Sequence, residues 1–127
     1  MKFDFNGEKS IYLQIADEIE DAIFIGVFSE ETQIPSTTEI SLNYKINPAT
    51  VLKGINILVE NGIIYKKRGI GMFVTEGAKV KIKQKMQNNF FEFYIAKVVS
   101  EANKLNLTKE ELIKMIERGY LNEHNWN

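Results

Sequence analysis

The stretch IPSTTEISLNYKINPATVLKGINILVENGIIYKKRGIGMFV, residues 34–74, decides the fold. Ser36 offers an N-cap hydroxyl, and Glu39 three residues later completes a capping box, so a short helix is expected through Ile40 and Leu42. Asn43, Tyr44, Lys45 and Ile46 interrupt it. Asn47 caps a second helix, and Pro48 occupies its first position, where a missing N–H costs nothing. Val51, Ile55, Leu58 and Val59 give this second helix an apolar side. Gly62 after Asn61 is a stop signal. Residues 63–67 and 72–74 then read as two strands joined by Arg68, Gly69, Ile70 and Gly71.

Two helices separated by a few residues, the second with a small polar start, form a helix-turn-helix. In that motif the start of the second helix enters the DNA major groove. A basic hairpin directly after it predicts the winged variant. The glycines at the hairpin tip allow close approach to a phosphate or a groove. Arg68 beside them suits the narrow, electronegative minor groove.

These blocks resemble the GntR family of bacterial transcription regulators. The resemblance is carried by Ile34-Pro35-Ser36, by residues 47–51, by residues 60–64 and by residues 68–74, and it runs from about residue 10 to residue 75. The form of residues 46–51 is most similar to the small YtrA-type subfamily. The resemblance implies a dimeric, sequence-specific DNA-binding repressor on a palindromic operator, with a two-helix dimerisation tail. Asn47, Ala49, Thr50 and Lys53 are expected near bases or adjacent phosphates. Ser36, Thr37, Thr38, Lys45, Lys67, Arg68 and Gly69 are expected on the backbone or in the minor groove. Thr38 stands where the family commonly has a DNA-contacting arginine, so one charged contact is missing.

Upstream, Ile11, Ile15, Ile19 and Ile23 recur every four residues, with Tyr12, Ala16 and Ala22 beside them. This pattern predicts a helix from Ile11 to about Ile25, capped by Ser10 and stopped by Gly26, that buttresses the motif. Phe3 and Phe5 suggest an edge strand or extended arm. Val27 and Phe28 are expected to tuck under the helix. Gln33 and Ile34 form a candidate third strand beside the hairpin.

Net charge is −1, which alone argues against a polyanion partner. Its distribution does not. Asp17, Glu18, Glu20, Asp21, Glu30 and Glu31 precede the motif. Between Glu39 and Glu60 there are only Lys45 and Lys53, and Lys66, Lys67 and Arg68 follow. A local basic face is what phosphate binding requires.

Downstream, Glu76-Gly77-Ala78 reads as a linker. Residues 79–85 alternate with period two, which fits either a strand or a helix start. From Met86 to Leu105 the pattern is helical. Phe90, Tyr94, Val98, Ala102 and Leu105 form one row, and Phe91, Ile95 and Val99 form the next. Thr108 and Glu111 make a second capping box for a shorter helix, followed by a polar tail with His124 and Trp126. A two-helix hairpin is too small to form a core alone, so the winged domain, a second copy of the hairpin, or both must cover its apolar stripe. A homodimer is the economical answer, with Phe90, Phe91, Tyr94, Ile95 and Val98 expected at its interface.

The expected fold class is mainly α with a small β-hairpin: a winged helix-turn-helix domain over residues 9–77 and a helical dimerisation tail over residues 78–127. With 0 cysteines, disulfides and thiolate metal sites are excluded. No signal peptide or apolar span is apparent, so a cytoplasmic location is expected. No Walker loop, dinucleotide fingerprint or paired histidines appear. No catalysis, cofactor or metal is expected, and the effector stays unassigned. The competing reading is a winged-helix protein-interaction module that does not read DNA.

Overall fold

The computed structural model describes residues 1–126, with side chains through Glu123. It divides into two compact units, residues 1–85 and 86–127. In the first, α1 (Ile11–Phe24) is followed by α2 (Thr37–Tyr44) and α3 (Pro48–Glu60). The hairpin β1 (Ile64–Lys67) and β2 (Gly71–Val74) comes next, and then α4 (Ala78–Phe90) begins. The two strands pair antiparallel, with Ile64 opposite Val74 and Lys67 opposite Gly71.

The caps form as their chemistry dictates. The Ser36 hydroxyl accepts the Glu39 N–H at 3.0 Å, and the Ser36 N–H donates to the Glu39 carboxylate at 3.2 Å. The Asn47 side-chain oxygen accepts the Ala49 N–H at 2.8 Å. Between the two helices the chain reverses at Lys45, which adopts the left-handed conformation with φ 56°. The buried Ser41 hydroxyl donates to the Ile46 carbonyl at 2.6 Å and holds the turn closed. Ser10 starts α1 but makes no side-chain cap bond. The side chain of Gln14 ties down the leader instead, donating to the Asp4 and Lys9 carbonyls.

Ile15, Ala16, Ile19 and Ile23 of α1 pack with Ile40, Val51, Ile55, Leu58, Ile64 and Val74 in one apolar cluster. α1 and α3 approach each other very closely. A Cβ built on Gly54 would lie 2.6 Å from the Tyr12 carbonyl oxygen and 3.0 Å from Ile15. Phe28 joins the core margin, whereas Val27 is exposed. Phe3 lies edge-on to Tyr44 and forms no strand.

Residues 31–34 act as a partial third strand. Ile34 donates its N–H to the Met72 carbonyl, and Val74 donates to the Thr32 carbonyl. The expected boundary at residue 77 falls inside this packing: Ala78 and Ile82 of α4 are buried in the same core, and the unit continues to Lys85. The period-two lysines of residues 79–85 therefore lie on a helix. At its start, the Glu30 carboxylate accepts the N–H groups of Gly77 at 2.8 Å and Lys79 at 3.1 Å. Those bonds, with the Lys79 charge, hold the Glu30 carboxyl below its usual range.

In the second unit a π-helical turn, Phe91–Ile95, interrupts the helix. Ala96 donates its N–H to the Phe91 carbonyl, five residues back. α5 (Ala96–Lys104) and α6 (Lys109–Trp126) follow. The Thr108–Glu111 capping box forms with bonds of 3.1 and 3.3 Å. α6 runs through the segment expected to be a polar tail. The side chains of His124 and Trp126 lie outside the described residues.

Gly54→Ala should lower stability by roughly 1–3 kcal/mol through overpacking, which outweighs the ~1 kcal/mol gained in helix propensity. Thermal melts followed by circular dichroism check this, and an unchanged or raised midpoint would contradict the close approach. Because the folded pKa of Glu30 is depressed, its contribution is present above the unfolded value and disappears as pH falls through the folded one. Glu30→Gln should therefore melt lower than wild type at neutral pH, with the gap closing in acid below about pH 4. A gap that stays constant across the pH series would rule out a role for the carboxylate charge.

Candidate nucleic-acid interface

The first turn of α2, the outer flank of α3 and the hairpin enclose a groove of about 370 Å³. Ser36, Thr37 and Thr38 form one wall, Leu52, Ile55, Asn56 and Val59 the floor, and Lys66, Gly71 and Met72 the other wall. The first N–H groups of α2 have no partner inside the helix, so the positive end of its dipole flanks this groove. Strand alternation explains the hairpin's contribution. Ile64 and Val74 point to the core, and Lys66 and Met72 continue the same face beyond it.

The other face of the hairpin carries Tyr65, Lys67 and Phe73. The rings of Tyr65 and Phe73 stack at 6.0 Å, and the Lys67 ammonium lies 4.1 Å from the Phe73 centroid. The Tyr65 hydroxyl donates to the Glu31 carboxylate at 2.9 Å, which raises the phenol's pKa above its usual value. This bond tethers the wing to residues 31–34. At the tip, Ile70 donates its N–H to the Lys67 carbonyl, and Gly69 has φ +77°. That is the positive φ a type II turn requires at its third position. Arg68 is exposed in this turn.

On α3, Val51, Gly54, Ile55 and Leu58 are buried, so Ala49, Leu52, Lys53 and Asn56 are left outward. The Lys53 ammonium lies 4.0 Å over the Tyr12 ring. It borders a second hollow with Tyr12, Ala49 and Ile57. Leu52 and Asn56 border both hollows and so crown the helix. Thr50 is half-buried, one turn before Gly54 on the flank that faces α1. Val59, expected in the core, is exposed and lines the groove.

The structure thus brings Ser36, Thr37 and Thr38 together with the floor of α3. Ala49 and Lys53 lie beside it, and Arg68 and Gly69 form the hairpin tip. Asn47 is occupied as a cap, leaving its NH₂ group free of the cap bond, and Lys45 is exposed in the inter-helix turn. Lys67 faces away from the groove. Leu52 and Asn56 line the groove without having been singled out in the sequence, and Lys66, read there only as part of the basic wing, is the hairpin lysine that faces it. Period two from Ile64 would have found Lys66.

A further hollow of about 330 Å³, lined among others by Glu18, Asp21, Phe28 and Tyr44, carries the opposite charge. Burial first, then Glu18 and Asp17, raise the Asp21 carboxyl above its usual range. The charge expected to repel phosphate is thus gathered away from the groove's lining. Among the described residues, no group of His, Asp or Glu is placed to hold a metal ion, and no helix is long and apolar enough to cross a membrane.

A helix-turn-helix with a short third strand, a basic wing and a groove between wing and second helix defines a winged DNA-binding regulator. Residues 11–74 match the model of the gntR family of bacterial regulatory proteins, and the chain belongs to that family. It is 31% identical over 118 residues to the HTH-type transcriptional regulator YhcF of Bacillus subtilis, covering 91% of this chain and 94% of that protein. A GntR-family regulator from Bacteroides thetaiotaomicron superposes with a TM-score of 0.75 and 34% identity, over 90% of this chain and 99% of that one. The DNA-binding domain of AraR, solved in complex with operator ORX1, matches with a TM-score of 0.52 and 29% identity, over 59% of this chain and 96% of its own. The YtrA repressor of Bacillus subtilis is among the relatives.

Proposed function

We propose that the chain acts as a cytoplasmic homodimeric repressor, with no enzymatic activity, and that each copy reads one half of a palindromic operator. The observation that carries this reading is the groove itself, in which α3 lies between the first turn of α2 and the cationic hairpin. Laid in a major groove, α3 presents Ala49, Leu52 and Asn56 to base edges, with Asn47 and Lys53 flanking them. Thr50, on the α1 flank, reaches only the margin. The hydroxyls of Ser36, Thr37 and Thr38 and the ammonium of Lys66 meet phosphates on either side. Arg68 and Gly69 reach the neighbouring minor groove. Lys45 and Lys67 add positive field at the edges. The operator complex of AraR supports this placement by analogy of fold.

Dimerisation follows from the tail. Phe90, Phe91, Phe93 and Tyr94 are all more than half exposed, and Val98, Val99, Ile113 and Ile116 are also open. The Phe90 and Tyr94 rings lie 5.4 Å apart. Contiguous aromatic surface of this kind marks an interface, and a second copy buries it most economically. Phe91, Ile95 and Val98 belong to the same proposed contact. The groove and wing of one copy carry few cations, so two linked copies bind one operator far better than one. Occupying a promoter in this way blocks transcription.

Arg68→Ala should weaken binding to an operator duplex and lower the salt slope by about 0.9 if the side chain neutralises one phosphate. Titrations at several salt concentrations measure both quantities, and an unchanged slope would remove the wing tip from the interface. Phe90→Ser combined with Tyr94→Ser should convert a dimer to a monomer in sedimentation and reduce operator affinity on the order of 100-fold or more. A double variant that stays dimeric and binds normally would overturn the assignment of the tail. If the wild-type chain retards no promoter fragment in a gel shift, the operator reading itself fails.

A further inference from the structure

We propose that Leu52 reads the 5-methyl group of a thymine, so that each half-site presents an A·T pair to the crown of α3. This deepens the operator reading above and rests on it.

Leu52 is 49% exposed in the middle of the outward ridge, in a groove whose walls carry the hydroxyls of Ser36, Thr37 and Thr38 on one side and the Lys66 ammonium beside Met72 on the other. Ala49 precedes it by three residues and Val59 follows by seven, so an apolar strip runs along one flank of the helix. The groove is flanked by Lys66 and by the first turn of α2, which suits a polyanion bearing apolar groups between its phosphates. DNA supplies one such group on its major-groove edge, the thymine methyl.

The alternative readout is poorly provided for. Guanine is most often read by arginine, and the only arginines in the chain are Arg68 and Arg118, neither of them on α3. Lysine is the other guanine reader, and the Lys53 ammonium is drawn over the Tyr12 ring. Asn56, one turn beyond Leu52, is exposed and carries the amide that pairs with the N6 and N7 atoms of adenine. The crown of α3 therefore combines a methyl contact with an amide, both of which select A·T pairs.

The test uses the full chain and a random duplex pool. The tightest selected duplex is compared with copies in which each thymine in turn is replaced by deoxyuridine, which pairs identically but lacks the methyl group. One position per half-site should prefer thymine, and deoxyuridine there should weaken binding about fourfold, the transfer value of one methyl group. Leu52→Ser, with an unchanged thermal melt, should bind the two duplexes equally. Leu52→Arg should shift the base selected at that position to guanine. The inference is overturned if the selected duplex responds to deoxyuridine at no position, or if Leu52→Ser keeps the full deoxyuridine penalty. A pool that yields no enriched duplex would refute operator reading itself, and the thymine contact with it.

Discussion

The contact between α1 and α3 at Gly54 governs how this molecule presents itself to DNA. The backbone of α1 approaches the recognition helix so closely that no side chain fits between Tyr12 and residue 54. Such proximity fixes the rotation of α3 about its own axis. With Gly54, Val51, Ile55 and Leu58 turned inward, the outward ridge can only be Ala49, Leu52, Lys53 and Asn56. The same proximity places the Tyr12 ring under Lys53. A core contact thus decides which side chains α3 turns outward, and the interior glycine, unfavourable for helix propensity, secures that orientation.

The wing is positioned by a chain of smaller constraints. Residues 31–34 bond to β2 through backbone groups, and Tyr65 donates to Glu31 from the outer face of the hairpin. Gln33 donates to the Ile70 carbonyl at 3.1 Å beneath the tip. A Cβ on Gly71, at φ +149°, would collide with that Gln33 amide. Arg68 therefore projects from a turn held on both strands. A two-stranded ribbon on its own is marginal in water, so these tethers keep the wing tip in register with α3. Farther along, Lys85 donates to the buried Glu20 carboxylate at 2.9 and 3.1 Å, joining α4 to α1.

Much of this was legible in the sequence because the signals were local. Both capping boxes, the Asn47-Pro48 start and the four-residue isoleucine spacing of α1 are short-range chemistry, and each took the expected form. The groove chemistry was less legible. Periodicity tells which side of α3 is buried but not which outward flank meets the wing and which meets α1. The position of the Lys53 ammonium over the Tyr12 ring is a tertiary contact that no spacing announces, and nothing in the local pattern singles out Leu52. Val59 belongs to the apolar pattern yet is exposed on the floor of the groove. The π-helical turn escaped notice for a related reason: among the crowded aromatics of residues 90–95, four- and five-residue spacings are both satisfied. Alternating lysines in residues 79–85 are compatible with strand or helix, and only burial of Ala78 and Ile82 decides between them.

The weak net charge of the chain follows from dividing labour between surfaces. Acids crowd α1, and Glu30 and Glu31 serve as structural acceptors for the start of α4 and for Tyr65. The hairpin and α3 carry Lys53, Lys66, Lys67 and Arg68 and few acids, and four more lysines lie on the first half of α4. A single unit with this distribution gains modest phosphate attraction, because each neutralised phosphate adds only one increment to a salt-sensitive term. On the proposed reading, discrimination comes from groups that distinguish base edges and from having two such faces on one site. An apolar crown on α3 suits that requirement, since a methyl contact is insensitive to the salt that weakens phosphate contacts. Low charge also limits retention on nonspecific DNA, which competes in large excess for any regulator. The modest charge of this chain and the exposed aromatic surface of its tail thus fit the proposed dimer, in which weak individual faces would gain selectivity by acting in pairs.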